Sequence, residues 1–279
     1  MVRNYKFFLP VWTLLAVVAG RAALAGEAIE HALAATFRIT DKKTSGTAFL
    51  LWPEESQDSA GKQAILVTAA HALERFAEPT CTLVLRVRND DATYSRLETD
   101  VAIRDGDKPL WVRHPEQDIA ALAIGLPEGT AANPLRFELL ADESWVTGRK
   151  LHVGSDVFIP GYPATLEANE TGWPVLRRGM VATHPLTPLA GAPRMLVNAN
   201  TFGGDSGAPV VLVTGDEAIV VGMVVGMQRQ TNRSTMPFEE RTFHMPLALA
   251  IVVRAPLIRE TVDLLKQAEV QDGGTADSL

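Results

Sequence analysis

The segment Asn198–Val211 reads NANTFGGDSGAPVV, and its centre sets Gly203, Gly204 and Gly207 around Asp205 and Ser206. Gly, Asp and Ser are all turn residues, so the segment reads as a turn entering an apolar strand. It reads equally as a nucleophilic serine whose neighbouring backbone N–H groups must face a substrate. What separates the two is whether a general base and an acid that orients it lie elsewhere in the chain.

Two such residues stand upstream. His71, in ILVTAAHAL, directly follows an apolar strand and two alanines, small enough to let an imidazole lie against a barrel seam with its ring in a cleft. Asp118, in EQDIAALAI, opens an apolar run. A carboxylate at the mouth of a buried strand is costly unless something donates to it, and an imidazole N–H is such a donor. Singly, these are a core histidine, a strand cap and a turn. Together, in the order His71, Asp118, Ser206 and each at a strand edge, they make a candidate set of base, orienting acid and nucleophile. That order differs from Asp, His, Ser in subtilisins and from Ser, acid, His in α/β-hydrolases. The hydrolase elbow also needs G-x-S-x-G, and Ala208 stands where its second glycine would be.

The rest of the chain is organised for β-structure. Short runs such as GTAFLLW, QAILVTAA, TLVLRVR, IAALAI, LHVGSDVFI, RMLVNA, PVVLV and AIVVGMVVGM are bounded by Gly, Pro, Asn or Asp. Many short strands separated by turn signals mean a sandwich or barrel. Pro127–Lys150 is the least strand-like stretch of the middle and marks the boundary between two β subdomains. The one helix expected in the mature chain starts near Pro256, where Leu257, Ile258, Val262, Leu264 and Leu265 have helical spacing. The polar Gln271–Leu279, with Gly273-Gly274, is expected to be a disordered tail.

Arg3 and Lys6, the apolar run Phe7–Gly20 and Ala23-Leu24-Ala25 have the layout of a signal peptide over residues 1–25. The apolar run falls short of the ~20 residues a membrane-spanning helix needs, so no stable membrane insertion is expected. The formal charge of −7 becomes still more acidic once that segment is removed, which argues against nucleic acid as a partner. Cys81, the single cysteine, excludes an internal disulfide and reads as a small buried strand residue. An exported chain without disulfides suits a bacterial periplasm or the extracellular space. His31, His114, His152, His184 and His244 have no metal-ligand spacing, so no metal or other cofactor is expected.

On Ser45–Phe49, Thr68–His71, Gly161-Tyr162-Pro163, Asp118–Ala120 and Gly204–Pro209, the chain resembles a chymotrypsin/trypsin-fold serine peptidase, nearest the bacterial trypsin-like or HtrA-type branch. The resemblance runs from about Ser45 to about Lys266. It implies an all-β fold of two six-stranded antiparallel β-barrels, the first about 26–145 and the second about 146–254, with a C-terminal α-helix at about 255–270. The site would lie in the groove between barrels, with His71 and Asp118 from the first and Ser206 from the second. The backbone N–H groups of Gly204 and Ser206 would form the oxyanion hole. Asn200, six residues before the nucleophile, would lie at the base of the primary substrate pocket, although a register shifted by one puts Ala199 or Thr201 there. Val225, Gly226 and Met227 would line its wall, giving a preference for small or medium apolar residues over Arg or Lys.

Two departures follow. Nothing near Gly26 resembles the N-terminus that pairs with the aspartate before the serine in animal trypsins, so the partner of Asp205 is open. Too few residues follow Ser206 for the PDZ domain usual in HtrA-type proteins. The expected activity is that of an exported serine endopeptidase acting on polypeptides through an acyl-enzyme. The rivals are a peptide-binding or chaperone-like module on the same fold, and an esterase or amidase.

Overall fold

The computed structural model describes residues 25–53, 63–236 and 239–274. Residues 1–24 of the expected signal segment and residues 275–279 of the expected tail lie outside them.

Six long strands build the first half: β1 (Thr36–Thr40), β2 (Ser45–Trp52), β3 (Gln63–Thr68), β4 (Thr80–Arg88), β5 (Tyr94–Ala102) and, later in the chain, β9 (Ala120–Gly125). Between β5 and β9 lie three two-residue strands, β6 (Arg104–Asp105), β7 (Lys108–Pro109) and β8 (Val112–Arg113). The sheet order is β5-β4-β1-β2-β3-β9-β8, and β10 (Leu135–Arg136) pairs parallel to β2. Phe37, Ile39, Leu50, Leu66, Leu83, Leu85 and Leu122 alternate inward from these strands and fill the sheet's concave side.

The second half is a closed barrel of six strands: β11 (Asp156–Gly161), β12 (Val175–Val181), β13 (Arg194–Asn198), β14 (Pro209–Thr214), β15 (Glu217–Met236) and β16 (Glu239–Arg254). The order β11-β12-β13-β16-β15-β14 closes through Phe158 opposite Val211. Closure removes sheet edges, and the apolar runs read from sequence supply its interior: Val157, Ile159, Val197, Val210, Val220 and Val252 are buried. The linker between the halves carries no long strand, only β10, a 3-10 turn at Phe137–Leu139 and the short helix at Ser144–Thr147.

Helices depart from expectation at both ends. Residues 25–34 form α1, which the sequence reading missed. Ala28 and Ala32 are its buried face, with Ala35 buried just past its end, too small to register as an apolar stripe. Its C-terminal carbonyls are met by a fully buried guanidinium: Arg86, on β4, donates to Leu33, Ala34 and Thr36 carbonyls and to that of Gly172. The Phe37 and Trp173 rings lie 4.4 and 4.2 Å from it. The C-terminal helix runs from Ala255 to Gly274, past the expected end near residue 270. Gln271 and Asp272 carry no helix-breaking backbone, so the helix reaches the Gly273-Gly274 pair. Leu257, Ile258, Val262 and Leu265 join it to the core shared by α1 and the second barrel.

Candidate active site

His71 lies in the first turn of α2 (Ala70–Arg75), entered from β3 through Thr68 and Ala69. Ala69 and Ala70 are fully buried, which brings the backbone close to the sheet and leaves only the ring to project. Asp118 occupies the bend between β8 and β9. Its Oδ1 accepts the His71 backbone N–H at 2.9 Å, and its Oδ2 is 2.5 Å from His71 Nδ1. Burial pushes the Asp118 carboxyl upward. The ring and backbone donors of His71, with Arg113 nearby, outweigh that and hold it below the ordinary carboxylate range. The carboxylate thus keeps the ring proton on Nδ1 and turns the Nε2 lone pair outward. Ser206 Oγ lies 2.9 Å from that Nε2.

His114 shapes the bend that carries Asp118. It is buried, and its Nδ1 accepts the backbone N–H groups of Glu116 and Gln117 at 3.1 and 3.0 Å. The His114 backbone N–H donates to the Ile119 carbonyl. Sequence reasoning noted only that His114 lacks metal-ligand spacing, because nothing in the order of residues shows a ring folded back onto its own turn.

The loop that carries Ser206 is clamped from three sides. Thr47, on β2, donates through Oγ1 to the Gly204 carbonyl at 2.7 Å and through its N–H to the Ser206 carbonyl at 2.9 Å. Thr68 Oγ1 in turn holds the Thr47 carbonyl. Gly207 donates to Val224 and Val224 to Ala208, which ties the loop to β15.

From below, the fully buried Asp205 meets Arg177 of β12. Nη1 and Nη2 each reach one carboxylate oxygen at 2.6 Å, and Phe202 N–H adds a third donor at 2.7 Å. Arg177 Nη1 also donates to the Asn200 carbonyl. Burial pushes the Asp205 carboxyl up, with the guanidinium and the Phe202 N–H working against it. This answers the question of what pairs with Asp205: an internal arginine does. Its signal was present as RR at 177–178, indistinguishable in sequence from any polar-out pair on a strand.

Gly204 and Gly207 have φ of +98° and +95°. A Cβ at Gly204 would collide with the Tyr162 carbonyl and one at Gly207 with the Thr47 carbonyl, so both positions require glycine. The Gly203 carbonyl accepts the Ala164 N–H at 2.7 Å. A trans peptide points its C=O and N–H in opposite directions, so this bond turns the Gly204 N–H away from Ala164. Among the described residues, neither the Gly204 nor the Ser206 N–H donates to a protein acceptor. Two undonated N–H groups flanking a serine hydroxyl that faces an imidazole suit the stabilisation of a tetrahedral oxyanion.

Val225, Gly226 and Met227 follow directly on Val224 and are half-buried beside the loop. Asn200 is exposed, whereas its neighbour Thr201 is buried with a hydroxyl lacking a partner among the described residues. Cys81 is buried in the core of the first half, and burial raises its thiol pKa to about 12. No helix among the described residues is long and apolar enough to cross a membrane.

A family model for the trypsin-like peptidase domain matches residues 46–223. No curated protein matches the chain in sequence. Among solved structures, an inactive form of the serine-to-alanine mutant of Rv3671c from M. tuberculosis H37Rv is similar at 16% identity, with 89% of this chain and 90% of that one covered and a TM-score of 0.46. An inactive form of the Rv3671c protease is similar at 16% identity, over 88% and 95% of the two chains, with a TM-score of 0.47.

Proposed function

The chain belongs to the trypsin-like peptidase family, and from that premise we propose that it is an exported serine endopeptidase working through an acyl-enzyme. The observation that carries the reading is the continuous relay Asp118–His71–Ser206, at 2.5 and 2.9 Å, beside two undonated backbone N–H groups. Ser206 Oγ attacks the scissile carbonyl while His71 Nε2 takes its proton. The Asp118 carboxylate stabilises the imidazolium that results. The carbonyl oxygen, now an oxyanion, is received by the Gly204 and Ser206 N–H groups. Its collapse expels the amine, which takes the proton back from His71, and leaves the acyl group on Ser206. Water attacks that ester by the same route in reverse.

Asn200 at the pocket base and Val225, Gly226 and Met227 along its wall supply no carboxylate. A charged Arg or Lys side chain would therefore enter unpaired, and small or medium apolar residues are favoured. The leader at residues 1–25 directs the chain to the periplasm or the medium, and cleavage after Ala25 frees a mature protein that begins at Gly26, within α1.

Labelling with a fluorophosphonate probe tests the assignment. Wild type labels covalently, and Ser206→Ala does not label and loses turnover by about a thousandfold or more. Undiminished labelling of Ser206→Ala would refute the nucleophile.

A further inference from the structure

The hairpin of β15 and β16 is far longer than the barrel needs. β15 has 20 residues and β16 has 16, against about 5–6 for an ordinary strand. β14 accompanies β15 only as far as Pro209 opposite Met223. Gly207 and Ala208 make the last bonds in that lane, to Val224. Beyond Val224, the side of β15 facing away from β16 has no strand partner among the described residues. Residues 228–234 and 240–247 are exposed. The vacant lane starts immediately beside Ser206 and runs to Met236.

An open strand edge is a template for pairing with another extended chain, and proteins blunt edges with proline, lysine or short length. The β15 edge from Val225 to Met236 contains neither proline nor lysine. The outer edge of β16 carries Pro246, which has no N–H to offer. The edge that leads to the serine is therefore the one left fit for pairing.

The arm is also two-faced. Arg229, Thr231 and Arg233 pair with Pro246, His244 and Thr242, and they share one face. A 3.0 Å contact from Thr231 Oγ1 to His244 Nδ1 marks that face. Arg233 is paired with Glu240, while Arg229 has no ion-pair partner among the described residues. Gln230 and Asn232 lie on the opposite face, where Asn232 Nδ2 reaches Met245 Sδ.

We propose that the β15 arm is an extended substrate-binding edge. On it, the part of a polypeptide farther upstream of the scissile bond than the pocket wall reaches adds as a strand alongside residues 228–236, with acidic side chains set against Arg229. This rests on the peptidase reading above. The occupant is an extended, unfolded segment rather than a short peptide, because the nine strand residues beyond the pocket wall span about 30 Å. Main-chain hydrogen bonds supply affinity and alternate side chains supply selectivity. Arg229, without an ion-pair partner among the described residues, selects carboxylates.

The test is a peptide series with one scissile sequence and about four or about twelve residues upstream of it, a span matched to the arm. In wild type, kcat/KM rises about tenfold or more with length, and changing the upstream Glu residues to Gln removes part of the gain. Replacing residues 230–245 by a two-residue turn abolishes the length effect and leaves the short peptide unaffected. Arg229→Glu, which leaves the hairpin register intact, reverses the preference between acidic and basic upstream segments. A wild type indifferent to length, or an arm deletion that harms short and long peptides equally, would overturn the proposal while labelling of Ser206 kept the peptidase reading. A dimer that disappears with the arm would assign the edge to a second copy and overturn it too. If wild type neither labelled nor cleaved the short peptide, the peptidase reading would fail first.

Discussion

Replacing Arg177 by methionine removes the cation beneath the nucleophile loop while keeping much of its apolar stem. Asp205 then stays buried with 1% of its side chain exposed, and of its donors only the Phe202 N–H remains. Breaking a buried ion pair by deleting one partner costs about 3–5 kcal/mol, and the surviving N–H places this case near 3. The Asn200 carbonyl loses its guanidinium donor at the same time. If that cost falls on the ordered loop, the arrangement that presents the Gly204 and Ser206 N–H groups drops to about one molecule in a hundred. The expected result is kcat/KM lower by about a hundredfold, with weaker fluorophosphonate labelling. Where the loop instead stays ordered, the cost appears as a Tm lower by about 6–12 °C.

The pH dependence gives an independent check with a definite sign. Without Arg177, the folded Asp205 carboxyl has a pKa above its unfolded value. Such a group penalises folding above the unfolded pKa and ceases to do so once both states are protonated. The destabilisation of Arg177→Met is therefore largest at neutral pH and shrinks as the pH falls toward 4, an acidity typical of free carboxyls. Urea titrations of wild type and variant, both carrying Ser206→Ala to prevent self-digestion, measure it. Arg177→Lys recovers only part of the loss, since an ammonium cannot bridge both carboxylate oxygens and a carbonyl in one plane. A variant with wild-type kcat/KM and Tm would refute the view that this ion pair holds the loop.

Gly204→Ala forces a methyl group toward the Tyr162 carbonyl at a φ of +98°, so peptide turnover falls by about a hundredfold or more while circular dichroism stays that of the wild type. Asp118→Asn keeps the fold but lets the imidazole take the wrong tautomer, and kcat falls by about ten-thousandfold in the active-site-titrated enzyme. Because the folded Asp118 carboxyl sits below its ordinary range, its contribution to stability is complete above the unfolded pKa and is lost as the pH falls through the folded one. The stability gap between Ser206→Ala and Ser206→Ala/Asp118→Asn should therefore close below about pH 4 in urea titrations.

The sequence by itself determined the β class and singled out His71, Asp118, Ser206 and Gly204 as the candidate site. Those residues are constrained locally: each needs a particular side chain, or none, at a turn next to an apolar strand, and such turns leave a readable pattern. The triad's closeness was inferable only through its order and its resemblance, since Ser206 comes from the other half of the molecule.

What the tertiary structure decided are features whose partners lie far along the chain. Arg177 meets Asp205 because β12 passes under the loop, and Thr47 clamps it because β2 faces it from the first half. α1 was invisible because its alanines bury little surface individually, and its end is completed by Arg86 from β4. The β15–β16 arm was unread past Met227 because both its faces are wet, so no core imposes the alternation of apolar and polar residues that marks a strand. Local chemistry is written where it acts, whereas a long-range partner is chosen by the fold and leaves no mark on its neighbours in sequence.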